Sequence, residues 1–246
     1  VALTVLIFIT LTSIGWSLWI RRVTWHCRWE VAATLNIALQ GSAVALISPL
    51  SSQTLGIALH NITGEWNLQN YIGHDCYIVA ASAIVYNVVG RLEDDDALQA
   101  SFKQYVERPA TLCIPLLLAT FTLSHGSKAY ASDFFALRTD FWLSVYWVLL
   151  CGTLAYLLAF GSRALLVLRH DPRSRHFANL YLVASASGIS ACVVRIITAL
   201  IPPLQGPLST GLVWLFACSC GAGFALTSAE SWRQKVRWFH RPAVHH

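Results

Sequence analysis

Three charged side chains interrupt the long apolar stretches of this sequence: Asp75, Arg163 and Arg195. Inside a membrane-spanning helix an ionisable group costs roughly 2.5–3.5 kcal/mol on insertion scales and marks a functional position by default. Asp75 lies six residues past Gln69, where its stretch begins, and Arg195 lies six residues before Ile201, where its own ends. At about 1.5 Å of rise per residue both sit roughly 9 Å below the same boundary. Opposite charge at equal depth predicts an Asp75–Arg195 ion pair, which either only ties two helices together or forms a gate or ligand site. His74 adjoins the pair, so His74, Asp75 and Arg195 form the candidate ligand-binding set. Arg163 stands near the opposite boundary and can snorkel to it.

Other chemistries find less support. His60, Cys76 and His125 fall on the same side as His74 and Asp75, and such a cluster can hold a metal. They come from separate segments without HxxxH or HxxE spacing, so no metal site is assigned. A bis-imidazole haem needs two facing intramembrane histidines, and only His74 lies inside a stretch. None of Lys103, Lys128 and Lys235 does, which leaves retinal no Schiff-base partner. No cofactor is expected. A GxSxG elbow, a P-loop and an HExxH motif are missing. The last apolar stretch, Leu208–Ser228, lacks the histidines that seven-helix zinc hydrolases carry there. A non-enzyme is expected. The seven cysteines show neither an even count nor a repeated CxxC, and read as packing residues. A second polar layer is formed by Asn36 and Gln40, four apart on one helix face, with Asn87 at similar depth. An Asn36–Asn87 amide bridge would satisfy both groups in lipid. If both layers face one interior, they mark a polar path.

These side chains need elements to position them, and composition says which. Of 246 residues, 56% are hydrophobic and 12% charged, about half the charge of an ordinary soluble domain. Mean hydropathy is +0.55. Soluble enzymes, disordered proteins and nucleic-acid binders are excluded, since the net charge of +5 is scattered rather than clustered. A hydrocarbon core of roughly 30 Å asks for about 20 apolar residues per helix. Stretches of this kind run over Leu3–Ile20, Val31–Leu50, Gln69–Gly90, Pro109–Leu123, Phe141–Arg163, Ala178–Ile201 and Leu208–Ser228. The fold class expected is all-α: a polytopic membrane protein with a seven-transmembrane-helix bundle over 1–230 and a short basic cytoplasmic tail over 231–246.

Loop charges orient the bundle. Arg21, Arg22, Arg28, Arg91, Lys103, Arg108, Arg169, Arg173, Arg175, Arg233, Lys235, Arg237 and Arg241 alternate onto one face, and only Lys128 and Arg138 fall on the other. This positive-inside pattern places the N-terminus outside and the C-terminus in the cytoplasm. The first stretch lacks a basic region before it and is followed by Arg21-Arg22, which argues against a cleavable signal peptide. The sequence holds no Met, so either Val1 uses an alternative start codon or residues ahead of it have been removed. An amphipathic cytoplasmic helix is expected within Leu92–Glu107, and an interfacial one from Leu55, Leu59 and Ile62. Tryptophans cluster at span ends, as at Trp16, Trp19, Trp66 and Trp142. Ala184, Gly188 and Cys192 in span six, and Ala217, Gly221 and Ala225 in span seven, offer small-residue faces on which those two helices would pack.

The run Thr63-Gly64-Glu65-Trp66-Asn67-Leu68, followed by His74, is similar to the TG-x-x-NL…H element of an uncharacterised group of actinobacterial membrane proteins labelled as transporters. The resemblance implies a seven-span unit in the plasma (inner) membrane. The residues themselves suggest a turn at Gly64 and a helix cap at Asn67. The resulting expectation is a transporter or small-ligand sensor with an outward-facing polar site. The alternatives are a non-catalytic accessory or signalling subunit whose Trp-rich, basic ends bind another membrane protein, and an intramembrane metal-dependent hydrolase. Membrane lipids are expected partners and nucleic acid is not.

Overall fold

In lipid a backbone can satisfy its polar groups only by hydrogen-bonding to itself, so each apolar stretch folds as a helix. The computed structural model describes residues 2–27, 30–90 and 95–239. Arg28, Trp29, Arg91, Arg241 and the start of the expected 92–107 helix lie outside them, as does the side chain of Leu98. The helices are α1 Ala2–Ile20, α2 Val31–Ile47, α3 Pro49–Gln53, α4 Leu55–Thr63, α5 Leu68–Val89, α6 Asp95–Phe102, α7 Arg108–Leu123, α8 Phe141–Leu168, α9 Arg175–Leu200 and α10 Pro207–Phe239. No strand occurs among the described residues. Six helices are long and apolar enough to cross a membrane, and α2, with 17 residues, is a shorter apolar helix. The chain is an all-helical, multi-pass membrane protein.

Several boundaries differ from the expected ones: α8 runs on to Leu168 and α9 starts at Arg175, and at α2 the reason is local. The second apolar stretch extends to Leu50, but α2 stops at Ile47. Pro49 forces the preceding residue out of the helical region, and Ser48 is extended at φ −61°, ψ 148°. Pro49 then opens α3, where the Ser48 side chain accepts from the Ser51 amide. At the other extreme α10 continues unbroken past Ser228 to Phe239. The α6 helix passes through a wider π turn at Lys103–Glu107 into α7, and α4 occupies the place of the expected interfacial helix.

Packing makes a closed ring: α1 on α2, α2 on α5, α5 on α8, α8 on α9, α9 on α10, and α10 back on α1, with α7 outside against α5 and α8. Close approach is set by small residues. A Cβ on Gly73 would lie 2.7 Å from Ile47 of α2, and one on Gly41 would lie 2.8 Å from Ile14 of α1. The expected α9–α10 contact is present, but its register is corrected. The added Cβ at Gly188 would meet Cys220 Sγ at 2.8 Å, and that at Gly223 would meet Ala184 at 2.9 Å. Gly221 faces Gln40 and Thr10 instead, and the Ala225 carbonyl accepts from Ser17. Gly221 and Ala225 of α10 thus serve α1 and α2.

The two ends differ. At the basic end Arg21 is buried, with Nε donating to Thr34 Oγ1 at 3.1 Å, Nη1 to the Ser228 carbonyl at 3.2 Å and Nη2 to Glu30 Oε2 at 2.9 Å. Lys235 also pairs with Glu30. At the other end, hereafter the loop end, the residues between α4 and α5 clamp those between α7 and α8. Gly64 ends α4 at φ +80°, Trp66 stacks on His60 with ring centroids 3.6 Å apart, and Asn67 holds the first position before α5. Asn67 does not cap α5 with its side chain as expected; its Nδ2 donates to the carbonyls of Gly126 and Ala129 at 2.7 and 2.8 Å.

Candidate functional site

The expected Asp75–Arg195 pair does not form. Among the described residues the ion pairs are Arg21–Glu30, Lys235–Glu30 and Arg233–Glu230. Equal depth along two helices does not guarantee contact, because one residue turns a helix by about 100°. Asp75 is half-buried and shares its face with Tyr71, one turn earlier, whose hydroxyl lies against it and approaches the Ile114 carbonyl of α7. His74, one residue back, turns into the ring toward Arg195.

His74 is 2% exposed. Its Nδ1 shares a 2.6 Å hydrogen bond with the Tyr146 hydroxyl, and its Nε2 is buried without a partner. Arg195 is 3% exposed. Its Nη1 donates to the Phe135 carbonyl at 3.1 Å, and its guanidinium carbon sits 4.1 Å from the centre of the Trp147 ring, a favourable cation–π position. Nε and Nη2 are buried without a partner. Those two atoms form one edge of the guanidinium, the edge whose parallel N–H groups match a carboxylate or phosphate.

Both residues line an internal cavity of about 90 Å³ within the ring. Its walls come from α2, α5, α8, α9 and α10, and are mostly apolar below Arg195: Ala80, Ile84, Leu150, Leu154, Leu158 and Phe224. Asn36 and Gln40 also line it, so the first and second polar layers face one interior. The Asn36 Oδ1 accepts from Gln40 Nε2 at 2.8 Å. Asn87 is buried in α5 outside the lining. The other candidates separate: His60 stacks on Trp66, and Asp75 faces α7.

A second hollow, a vestibule of about 1080 Å³, lies at the loop end between Asp133, Arg138, Gln205, Thr210 and the first turns of α1. It shares two wall residues with the inner cavity, Phe135 and Arg195. The connection between α7 and α8 is therefore part of the site, which residue types and spacing did not indicate. Asp133 folds this connection inward: its Oδ1 accepts from the Phe135 amide at 3.0 Å and its Oδ2 from Trp214 Nε1 at 3.1 Å. Burial pushes the Asp133 carboxyl up, partly offset by Trp214, the Phe135 amide and the nearby Arg195 charge. Phe134 is fully buried, and Phe135 lies edge-on to Trp214 at 5.2 Å. The available signal is the Asp133-Phe134-Phe135 run itself, two large apolar residues in succession after a turn-forming acid.

No family model, curated protein or solved structure matches the chain.

Proposed function

We propose that this chain crosses the plasma membrane seven times with its N-terminus outside, and that it is a transporter or sensor for a small ligand entering from the outer face, without catalysing a reaction. The resemblance to the actinobacterial group belongs to the same reading. One observation carries it: vestibule and inner cavity meet at a two-residue wall, Phe135 and Arg195. A site that only held helices together would not need a wide mouth above a buried cation whose hydrogen-bonding edge is open. The inner lining extends along α5 from His74 to Ile84, roughly 15 Å of helix rise, and reaches the Asn36–Gln40 pair, which supports a path into the bilayer interior. The exposed apolar residues around the ring, such as Phe8 and Val183, suit contact with acyl chains.

The native thiols offer a test that needs no known ligand. Cys192 lies in the inner lining, one turn from Arg195 on α9. In a variant retaining Cys192 alone, a small membrane-impermeant methanethiosulfonate reagent applied to the outer face is expected to label this thiol, and Phe135→Ala to accelerate labelling. Labelling only after denaturation, in both proteins, would overturn the reading.

A further inference from the structure

We infer that the ligand is a short, unbranched organic carboxylate whose head group sits between Arg195 and His74. This inference rests on the small-ligand reading of the same cavity and names its substrate class. A guanidinium withdrawn from water and left with two unpaired donors carries a large desolvation cost, because hydrogen bonds to a charged group are among the stronger ones and here go unmade. The free donors are Nε and Nη2 of Arg195, a planar pair that takes two oxygens of one planar group. The third free group nearby, His74 Nε2, belongs to a ring fixed by Tyr146 and by the edge of Trp147, with centroids 5.1 Å apart. Among the described residues no Asp or Glu lines the inner cavity, so nothing there competes for Arg195. The nearest acid, Asp133, is in the vestibule wall with both oxygens already accepting hydrogen bonds, and Arg138 and Arg195 share that wall with it.

The body of the ligand follows from shape. About 90 Å³ drawn out along α5 from His74 to Ile84 is a slot rather than a chamber. At roughly 10–15 Å³ of this measure per water-sized group, it holds on the order of six to nine such groups. Below the head group the walls are aliphatic, aromatic or thiol-bearing apart from Asn36 and Gln40, which bond to each other, and this favours methylenes over hydroxyls, since a buried hydroxyl without a partner is costly.

The test uses the whole chain in lipid nanodiscs with three probes of one length: hexanoate, hexanamide and hexylamine. Hexanoate is expected to raise the unfolding temperature and slow labelling of Cys192 at concentrations about tenfold below those of hexanamide, with hexylamine inactive. Arg195→Lys keeps the charge but not the paired edge and is expected to weaken hexanoate about tenfold. Equal action of amide and carboxylate, or a preference for the amine, would overturn the carboxylate assignment while leaving a ligand cavity. Free labelling of Cys192 that none of the probes slows would also overturn it. Absence of labelling would instead sink the cavity reading beneath it. Because the unfolding temperatures are read on the unaltered chain and the labelling on the variant retaining Cys192 alone, the probe series decides the assignment even where Arg195→Lys fails to fold. Hexanesulfonate equalling hexanoate would overturn the choice of a planar head group.

Discussion

Glu30 shows how much a single side chain holds at the basic end. It bridges two cations, Arg21 from the end of α1 and Lys235 from α10, with side-chain exposures of 9% for Glu30 and 2% for Arg21. Burial pushes the Glu30 carboxyl up, but its hydrogen bonds and charge interactions with Lys235 and Arg21 outweigh that and hold it below its ordinary value. A lowered folded-state value means that the stabilisation is present above the unfolded value of about 4.3 and disappears as pH falls through the folded one. Thermal unfolding in detergent between pH 7 and pH 3 is therefore expected to show a steep acid loss in the native chain. Glu30→Gln should start lower at neutral pH, by about 3 kcal/mol for a broken buried pair, and lack that acid limb. Parallel curves would refute the bridge. Arg21 and Lys235 are readable as topology-setting cations, yet nothing in the spacing of Glu30 announces that it is drawn between them. Depth is legible from position along a helix, which is why Arg195 and His74 stand out in the sequence. Azimuth depends on which neighbours pack where, which is why Asp75 does not join them.

Between helices the information lies in which small residue meets which neighbour. The α9–α10 seam runs through Gly188 against Cys220 and Ala184 against Gly223. Gly188→Ala would set a methyl 2.8 Å from both Cys220 Sγ and Leu158 Cδ1, and overpacking of this kind costs about 1–3 kcal/mol. Cys220→Ala in the same chain should recover much of it. By contrast Gly221→Ala meets its nearest atom, Gln40 Oε1, at 3.3 Å, and should unfold close to the native chain in a denaturing-detergent titration. The reverse ranking would place the seam back on the 217/221/225 face. Spacing alone could not choose among faces, because α10 is small almost all the way round, from Ala217 through Cys218, Ser219, Cys220, Gly221, Ala222 and Gly223. Helix ends are far more legible. Bilayer thickness forces runs of apolar residues, and proline ends α2 by a steric rule that acts locally. The inward fold of Asp133–Phe135 is not legible, since it depends on Trp214 waiting in α10, 81 residues away.

At the scale of the whole molecule the ring itself orders the two ends. Ala2 and Leu3 share the vestibule wall with Pro207, whereas Arg21 meets the Ser228 carbonyl, so α1 and α10 run parallel. The start of α1 and the end of α10 lie at opposite ends of the bundle. That arrangement fits an odd number of crossings, and α2 decides whether the number is seven. At 17 residues it rises roughly 26 Å, short of the ~30 Å core. It is nevertheless seated between α1 and α5 in the ring, and α3 follows it at the loop end. The positive-inside asymmetry then predicts where probes will react. In a cysteine-free background, single cysteines at Gln53 and Ser132, both exposed at the loop end, are expected to react with an impermeant maleimide in intact cells. A cysteine at Arg173, exposed at the basic end, should react only after the membrane is opened. Protection at Gln53 alone would mean that α2 does not cross. Labelling of Arg173→Cys in intact cells, with both loop-end positions silent, would invert the molecule, turn the vestibule to the cytoplasm and make the Arg195 site one that is loaded from inside.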